Sequence, residues 1–163
     1  MRKKRKRPLA RTSIDTETVY FFDRITYPHT FKLSSFYICK FYLDNNWWHS
    51  TIHYYQANKT TPDNPVYSQI RDCTTPEQAK KIGSTLDPIE SWHSGKYELM
   101  KAATYAKFSQ NKGCMTTLIS TGVKPLMEYS RDSYWGAKNY GYNYMGQILE
   151  EVRSELRKKL RME

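Results

Sequence analysis

Residues 36–59, FYICKFYLDNNWWHSTIHYYQANK, change character once, and that change decides the fold class. Up to Trp48 the stretch is rich in aromatic and β-branched residues in partial alternation. Asp44-Asn45-Asn46 interrupts it, so it reads as two short strands around a turn. Ser50 and Thr51 then offer an N-cap. Beyond them Ile52, Tyr55, Gln56 and Lys59 are spaced three, four and seven apart, which places them on one side of a helix. One hydrocarbon, one phenol, one amide and one amine make an odd core stripe. That side is either a wet surface or the wall of a site.

Working outward, residues 19–35 continue the aromatic and β-branched character. Downstream, Pro62 and Pro65 stop the first helix, and a second helix is expected over about 66–72. TTPEQAKKIG (74–83) predicts a third, with Thr75 as cap, Pro76 in the first turn and Gly83 at the end. Residues 88–111 predict a long helix with Gly95 as its weak point and Met100, Ala103, Ala106 and Lys107 on one side. TTLISTG (116–122) predicts a further helix closed at Gly122, and PLMEYS (125–130) a short strand. QILEEVRSELRKKLRME (147–163) is amphipathic, with Ile148, Leu149, Val152 and Leu156 facing inward. The pattern has no internal repeat. It predicts a mainly helical α+β domain over 13–163 with a small antiparallel sheet.

Composition bounds the function. The chain has 163 residues, 39% hydrophobic, with a formal charge of +10. This suits one domain with a real core, although mean hydropathy is −0.81. Arg2, Lys3, Lys4, Arg5, Lys6, Arg7 and Arg11 supply seven of the positive charges with no acid among them, leaving a body of +3. Residues 1–12 therefore form a basic arm expected to be disordered. Lys3 to Arg7 would touch phosphates without reading sequence, or would act as a solubilising tail. Cys39, Cys73 and Cys114 are odd in number and far apart, which implies reduced thiols and an intracellular, cytoplasmic setting. There is no metal-ligand spacing, no nucleotide-cofactor fingerprint, no membrane span and no signal-peptide core.

The most informative loop is SRDSYWGAKNYGYNYMG (130–146), with three glycines and five aromatics. Glycine permits close backbone approach, Trp135 gives a stacking surface and Asn143 can read an amide or a sugar. A packed aromatic turn is the plain alternative.

The order of motifs carries a resemblance. LSSFY (33–37) is followed by WWHSTIHYYQANK, TPEQAKKIG, Trp92, Met100, AKFSQN, the Leu118–Gly122 turn, LMEYSRDSYWG and the segment Gly141–Gly146 before a closing helix. This succession, over about residues 31–157, resembles the NADAR family, named for NAD and ADP-ribose metabolism. The resemblance implies a compact, mainly helical fold and hydrolysis of N-glycosidic bonds. Family activities include cleavage of ribosylated riboflavin-pathway intermediates and removal of ADP-ribose from guanine in nucleic acid. It also implies a binding set of Ser35, Phe36, His53, Tyr55, Gln56, Trp92, Trp135, Gly136 and Asn143, with no cofactor and no metal. One position departs. The family's helix usually carries a glutamate where this chain has Ile52, and that glutamate is held to take part in catalysis.

Breaking an N-glycosidic bond builds positive charge on the sugar, which a carboxylate stabilises or relieves by activating water. Ile52 can do neither. A second route opens when the sugar sits on an exocyclic amine, because a neutral lysine can exchange into the imine as a Schiff base. Lys59 is the expected nucleophile on this route, with Asp132 as the acid–base group; the sequence leaves open whether another carboxylate, Asp132 or Glu128, takes the role vacant at Ile52. The plain alternatives are a solvated Lys59, a packed His53, core Trp92 and Trp135, and an Asp132 that merely caps its turn. The leading expectation is removal of ADP-ribose from modified guanine in DNA, with ADP-ribosylated nucleic acid as partner. The competing ones are a binding protein, disabled at Ile52, that holds such nucleic acid or NAD or blocks an ADP-ribosyltransferase, and a riboflavin-pathway glycosidase.

Overall fold

Capping residues fix where the helices of the computed structural model begin, and the structure describes residues 17–162. Ser50 accepts from the His53 amide at the start of α1 (Thr51–Ala57). Asn64 does the same for Val66 in α2 (Pro65–Arg71). Thr75 and Gln78 form a reciprocal capping box on α3 (Pro76–Gly83), satisfying two amides that the helix leaves unpaired. Pro65 and Pro76 occupy first-turn positions, where a missing N–H costs nothing.

The helix ends differ more from expectation. α1 stops at Ala57, ahead of both prolines, where the Asn58 side chain donates to the Tyr54 carbonyl at 2.8 Å. α4 (Glu90–Gln110) runs through Gly95 without a break. α5 (Lys112–Ser120) starts four residues before the predicted segment. α6 (Tyr144–Met162) likewise absorbs the end of the glycine-aromatic loop.

Two small sheets form. β2 (Phe41–Leu43) and β3 (Asn46–Trp48) pair antiparallel, with Phe41 opposite Trp48 and Leu43 opposite Asn46. Asp44 and Asn45 take φ of 50° and 59°, the two left-handed residues of the tight turn that matches strand twist. Asn46, expected in the turn, is the first residue of β3. The second sheet joins β1 (Val19–Phe21) to β4 (Leu126–Glu128) in parallel. Sequence gave the antiparallel hairpin but not this parallel pair, whose partners lie far apart in the chain.

α1 is buried along its whole length because α2, α3, α4 and β3 pack around it. α4 lies against α1, α5, α6 and β2. The core is filled by Phe21, Phe41, Trp48, Ile70, Phe108, Leu118 and Leu126, with Ile148, Leu149, Val152 and Leu156 of α6. Among the described residues no helix is long and apolar enough to cross a membrane. The basic arm, 1–12, lies outside the described residues.

Candidate active site

The unusual side of α1 is a site wall. Ile52, Tyr55 and Gln56 line a hollow of about 260 Å³ with Ser35 and Phe36, Lys80 of α3, Met100 of α4, Met145 of α6, and Glu128, Ser130, Asp132 and Trp135. The start of α1 is latched to one rim. The Ser35 carbonyl accepts from Thr51 Oγ1 at 3.0 Å and from the Ile52 amide at 3.3 Å.

Across the hollow stands Glu128, the last residue of β4. It is 6% exposed, and burial pushes its carboxyl up to about 7. The Ser130 hydroxyl, donating to Glu128 Oε2 at 2.9 Å, opposes that rise, Asp132 adds to it and Lys80 opposes it. Desolvation disfavours the charged form, so this acid exchanges a proton near neutral pH. Asn143 holds it in place. Its Oδ1 accepts from the Glu128 amide at 3.0 Å, while its Nδ2 donates to the Leu126 carbonyl at 2.8 Å.

The loop after β4 is built around Asp132, whose Oδ1 accepts from the amides of Tyr134 and Trp135, both at 2.9 Å. A Cβ on Gly136 would overlap Ser130 and approach the Asp132 carbonyl oxygen to 2.9 Å, so only glycine lets the loop fold back under Glu128. Trp135 is thereby set edge-on to Tyr55, ring centres 5.5 Å apart, and Tyr55 lies tilted against Trp92 at 5.2 Å. The result is an aromatic wall. Gln56 Oε1 is buried against Gly83 with no hydrogen-bond partner.

Of the residues predicted for the site, Ser35, Phe36, Tyr55, Gln56, Asp132 and Trp135 converge here. Gly136 and Asn143 support the loop and strand. Three others do not line the hollow. His53 is fully buried, with Nε2–H donating to the Cys73 carbonyl at 3.0 Å and Nδ1 against Ser50 Oγ at 2.7 Å. Burial holds its pKa below the ordinary value, so it is a neutral packing histidine. Trp92 lines a neighbouring, largely apolar depression of about 480 Å³ between residues 58–62 and α4.

Lys59 donates to the Gly83 carbonyl at 3.0 Å, with its ammonium 5.2 Å from the Trp92 ring centre. Burial lowers its pKa, and Lys80 and Lys96 add to the effect. The lysine that does line the hollow is Lys80, which sequence reasoning passed over because nothing distinguishes it from its neighbour Lys81. Among the described residues neither Lys59, Lys80 nor Lys96 is ion-paired to a carboxylate. Glu128 was legible only as an acid inside a strand-like apolar run.

A buried acid near neutrality, an aromatic wall and the Lys80 side chain thus meet at one hollow. The profile of the NADAR domain matches residues 20–157, and the chain belongs to that family. It is 32% identical over 147 residues to an N-glycosidase of Nostoc punctiforme, covering 86% of this chain and 93% of that one. It is 33% identical to N-glycosidase YbiA of Shigella flexneri, over 70% of this chain and 74% of the relative. A riboflavin biosynthesis protein of Vibrio vulnificus is 30% identical, over 90% of this chain but only 40% of its own length. The NMR structure of Escherichia coli YbiA superposes with a TM-score of 0.76 at 26% identity, covering 90% of this chain and 88% of that one.

Proposed function

We propose that this chain is an N-glycosidase whose catalytic carboxyl is Glu128, acting on a phosphorylated N-riboside and, most specifically, on ADP-ribosylated guanine in nucleic acid. The observation that carries the reading is Glu128 itself, a buried acid facing the same hollow as Ile52.

In its protonated form Glu128 donates to the departing nitrogen as the C1′–N bond breaks. The sugar then carries positive charge at C1′, which Asp132 at the mouth stabilises. Water adds to C1′ and gives its proton to the Glu128 carboxylate, restoring the acid. Such a proton transfer contributes roughly 10²–10⁴-fold. Tyr55 and Trp135 hold the base or sugar by ring contact. Lys80, at the hollow, receives phosphate charge. The arm Lys3–Arg7 adds phosphate contacts when the substrate is a polynucleotide.

The relatives' names supply the glycosidase class, and Lys80, with no carboxylate partner among the described residues, favours a phosphorylated substrate. A second reading, a binding protein without turnover, draws on one observation: Ile52 gives a hydrocarbon to the wall where the family's glutamate is usual.

The test is incubation of the purified chain with guanine-ADP-ribosylated single-stranded DNA and, separately, with a ribose-5-phosphate N-glycoside of an aminopyrimidine. Multiple-turnover release that is lost in Glu128→Gln supports the proposal, and the substrate turned over fixes the class. Stoichiometric binding with no release would replace it by the binding protein. Release that survives Glu128→Gln but is lost in Lys59→Ala, with a borohydride-trapped adduct, would move the chemistry to the Schiff-base route.

A further inference from the structure

Cys39 and Cys114 are 75 positions apart in sequence, yet their sulfurs lie 3.2 Å apart. Cys39 is half-buried on the segment entering β2, and Cys114 is buried in the first turn of α5. Neither lines the hollow. Beside them is Lys107 of α4, 1% exposed. Its ammonium donates to the Ser34 carbonyl at 2.8 Å and sits 5.5 Å and 4.9 Å from the ring centres of Tyr37 and Phe108.

A buried ammonium needs negative charge nearby. Burial pushes Lys107 down to about 8, and the two thiols oppose that fall; among the described residues no carboxylate pairs with it. The converse holds at the sulfurs. The hydrogen bond shared with Cys39 holds Cys114 below the ordinary thiol value, burial opposes this, and Lys107 and Lys32 add to the lowering. The same bond, with burial, raises Cys39. The two sulfurs share a proton across this contact, and the lysines favour the thiolate at Cys114, the form that reacts.

We propose that Cys39 and Cys114 form a reversible oxidation site, which a small hydroperoxide converts to an internal disulfide. The Cys114 thiolate attacks one peroxide oxygen, the O–O bond breaks, and the departing oxide takes a proton. Cys114 is left as a sulfenic acid. The Cys39 sulfur then attacks the Cys114 sulfur and the S–O bond breaks. Hydroxide leaves with the Cys39 proton as water. The thiol pair loses two electrons and two protons, and the peroxide gains them.

Closure brings the sulfurs from 3.2 Å to about 2.05 Å. That shift of about 1 Å is taken up between Tyr37 and Lys40, where the backbone has no regular structure. Cys73 is the internal contrast. It gives its S–H to the Gln69 carbonyl at 3.2 Å, and burial raises its pKa.

The experiment exposes the native chain to hydrogen peroxide at neutral pH, quenches it in acid, unfolds it, alkylates the free thiols and maps the peptides. The expected result is parallel loss of alkylation at Cys39 and Cys114. The two appear as one cross-linked peptide pair lighter by two hydrogens, which dithiothreitol separates, while Cys73 stays alkylated. In Cys39→Ser, dimedone should tag Cys114. Oxidation of Cys73 at the same rate, an intermolecular cross-link, or undiminished alkylation of Cys114 would each overturn the proposal.

Discussion

Ile52 and Glu128 line a single hollow, the first contributing hydrocarbon and the second a carboxyl pushed up to about 7 by burial. A carboxylate in place of Ile52 would change the charge that Glu128 meets, so the two positions are linked electrostatically. On the proposed mechanism, the site has kept a carboxyl while losing the family's usual one.

Glu128→Gln is expected to lower kcat by about 10²–10⁴ with little change in KM, because the amide keeps the shape but donates no acidic proton. Steady-state release assays check this. In the unaltered chain kcat should fall about tenfold per pH unit above about pH 7, since the acid must hold its proton, and the variant should lack that limb.

The same substitution should act oppositely on stability. Glu128's ordinary value of 4.5 is raised to about 7 in the fold, so its contribution is fully present below 4.5 and is lost as pH rises through 7. The loss is at most about 3–4 kcal/mol, at about 1.36 kcal/mol per pKa unit. Urea midpoints at about pH 4.5 and pH 8 measure it. Glu128→Gln should be the more urea-resistant protein at the higher pH, and a flat difference between the two pH values would refute the linkage.

Ile52→Glu places a second carboxyl in the hollow at a position 6% exposed. Two acids sharing a site raise one another's pKa, so the basic limb of the pH–rate profile should move upward. Burying the acid should also cost about 1–3 kcal/mol of stability at neutral pH. Chemical denaturation and the rate profile separate the two effects.

Gly136→Ala tests the loop that supports the site. Its Cβ would overlap Ser130, the residue that hydrogen-bonds Glu128. Overpacking of this kind costs about 1–3 kcal/mol. Denaturation should report that loss, and turnover should fall with it because Ser130 and Trp135 shift together.

Lys80→Ala should weaken a phosphorylated substrate through KM, by about tenfold for one lost charged contact, and leave an unphosphorylated nucleoside unaffected. Comparing the two substrates distinguishes a phosphate contact from general damage to the fold.

Much of the fold was written locally. Ser50, Asn64 and Thr75 cap the helices that follow them, Asp44 and Asn45 make the hairpin turn, and Ile148, Leu149, Val152 and Leu156 mark the buried side of α6. These features need only a few neighbouring residues. The α1 side chains were also legible as a wall of some kind, because Ile52, Tyr55, Gln56 and Lys59 make a poor core stripe.

The sequence by itself determined the class of domain, the capped helices and the family, since each depends on short-range spacing and on motif order. Only the tertiary structure decided which of those residues share a cavity. The parallel pairing of β1 with β4 carries Glu128 to the hollow, and α3 brings Lys80 to it while Lys59 turns to the Gly83 carbonyl. Packing around α1 excludes His53 from the hollow. The physical reason is that burial, desolvation and charge neighbours arise from contacts between segments distant in the chain. Spacing along the helix could place Lys59 on the same side as Ile52, but not in the same pocket.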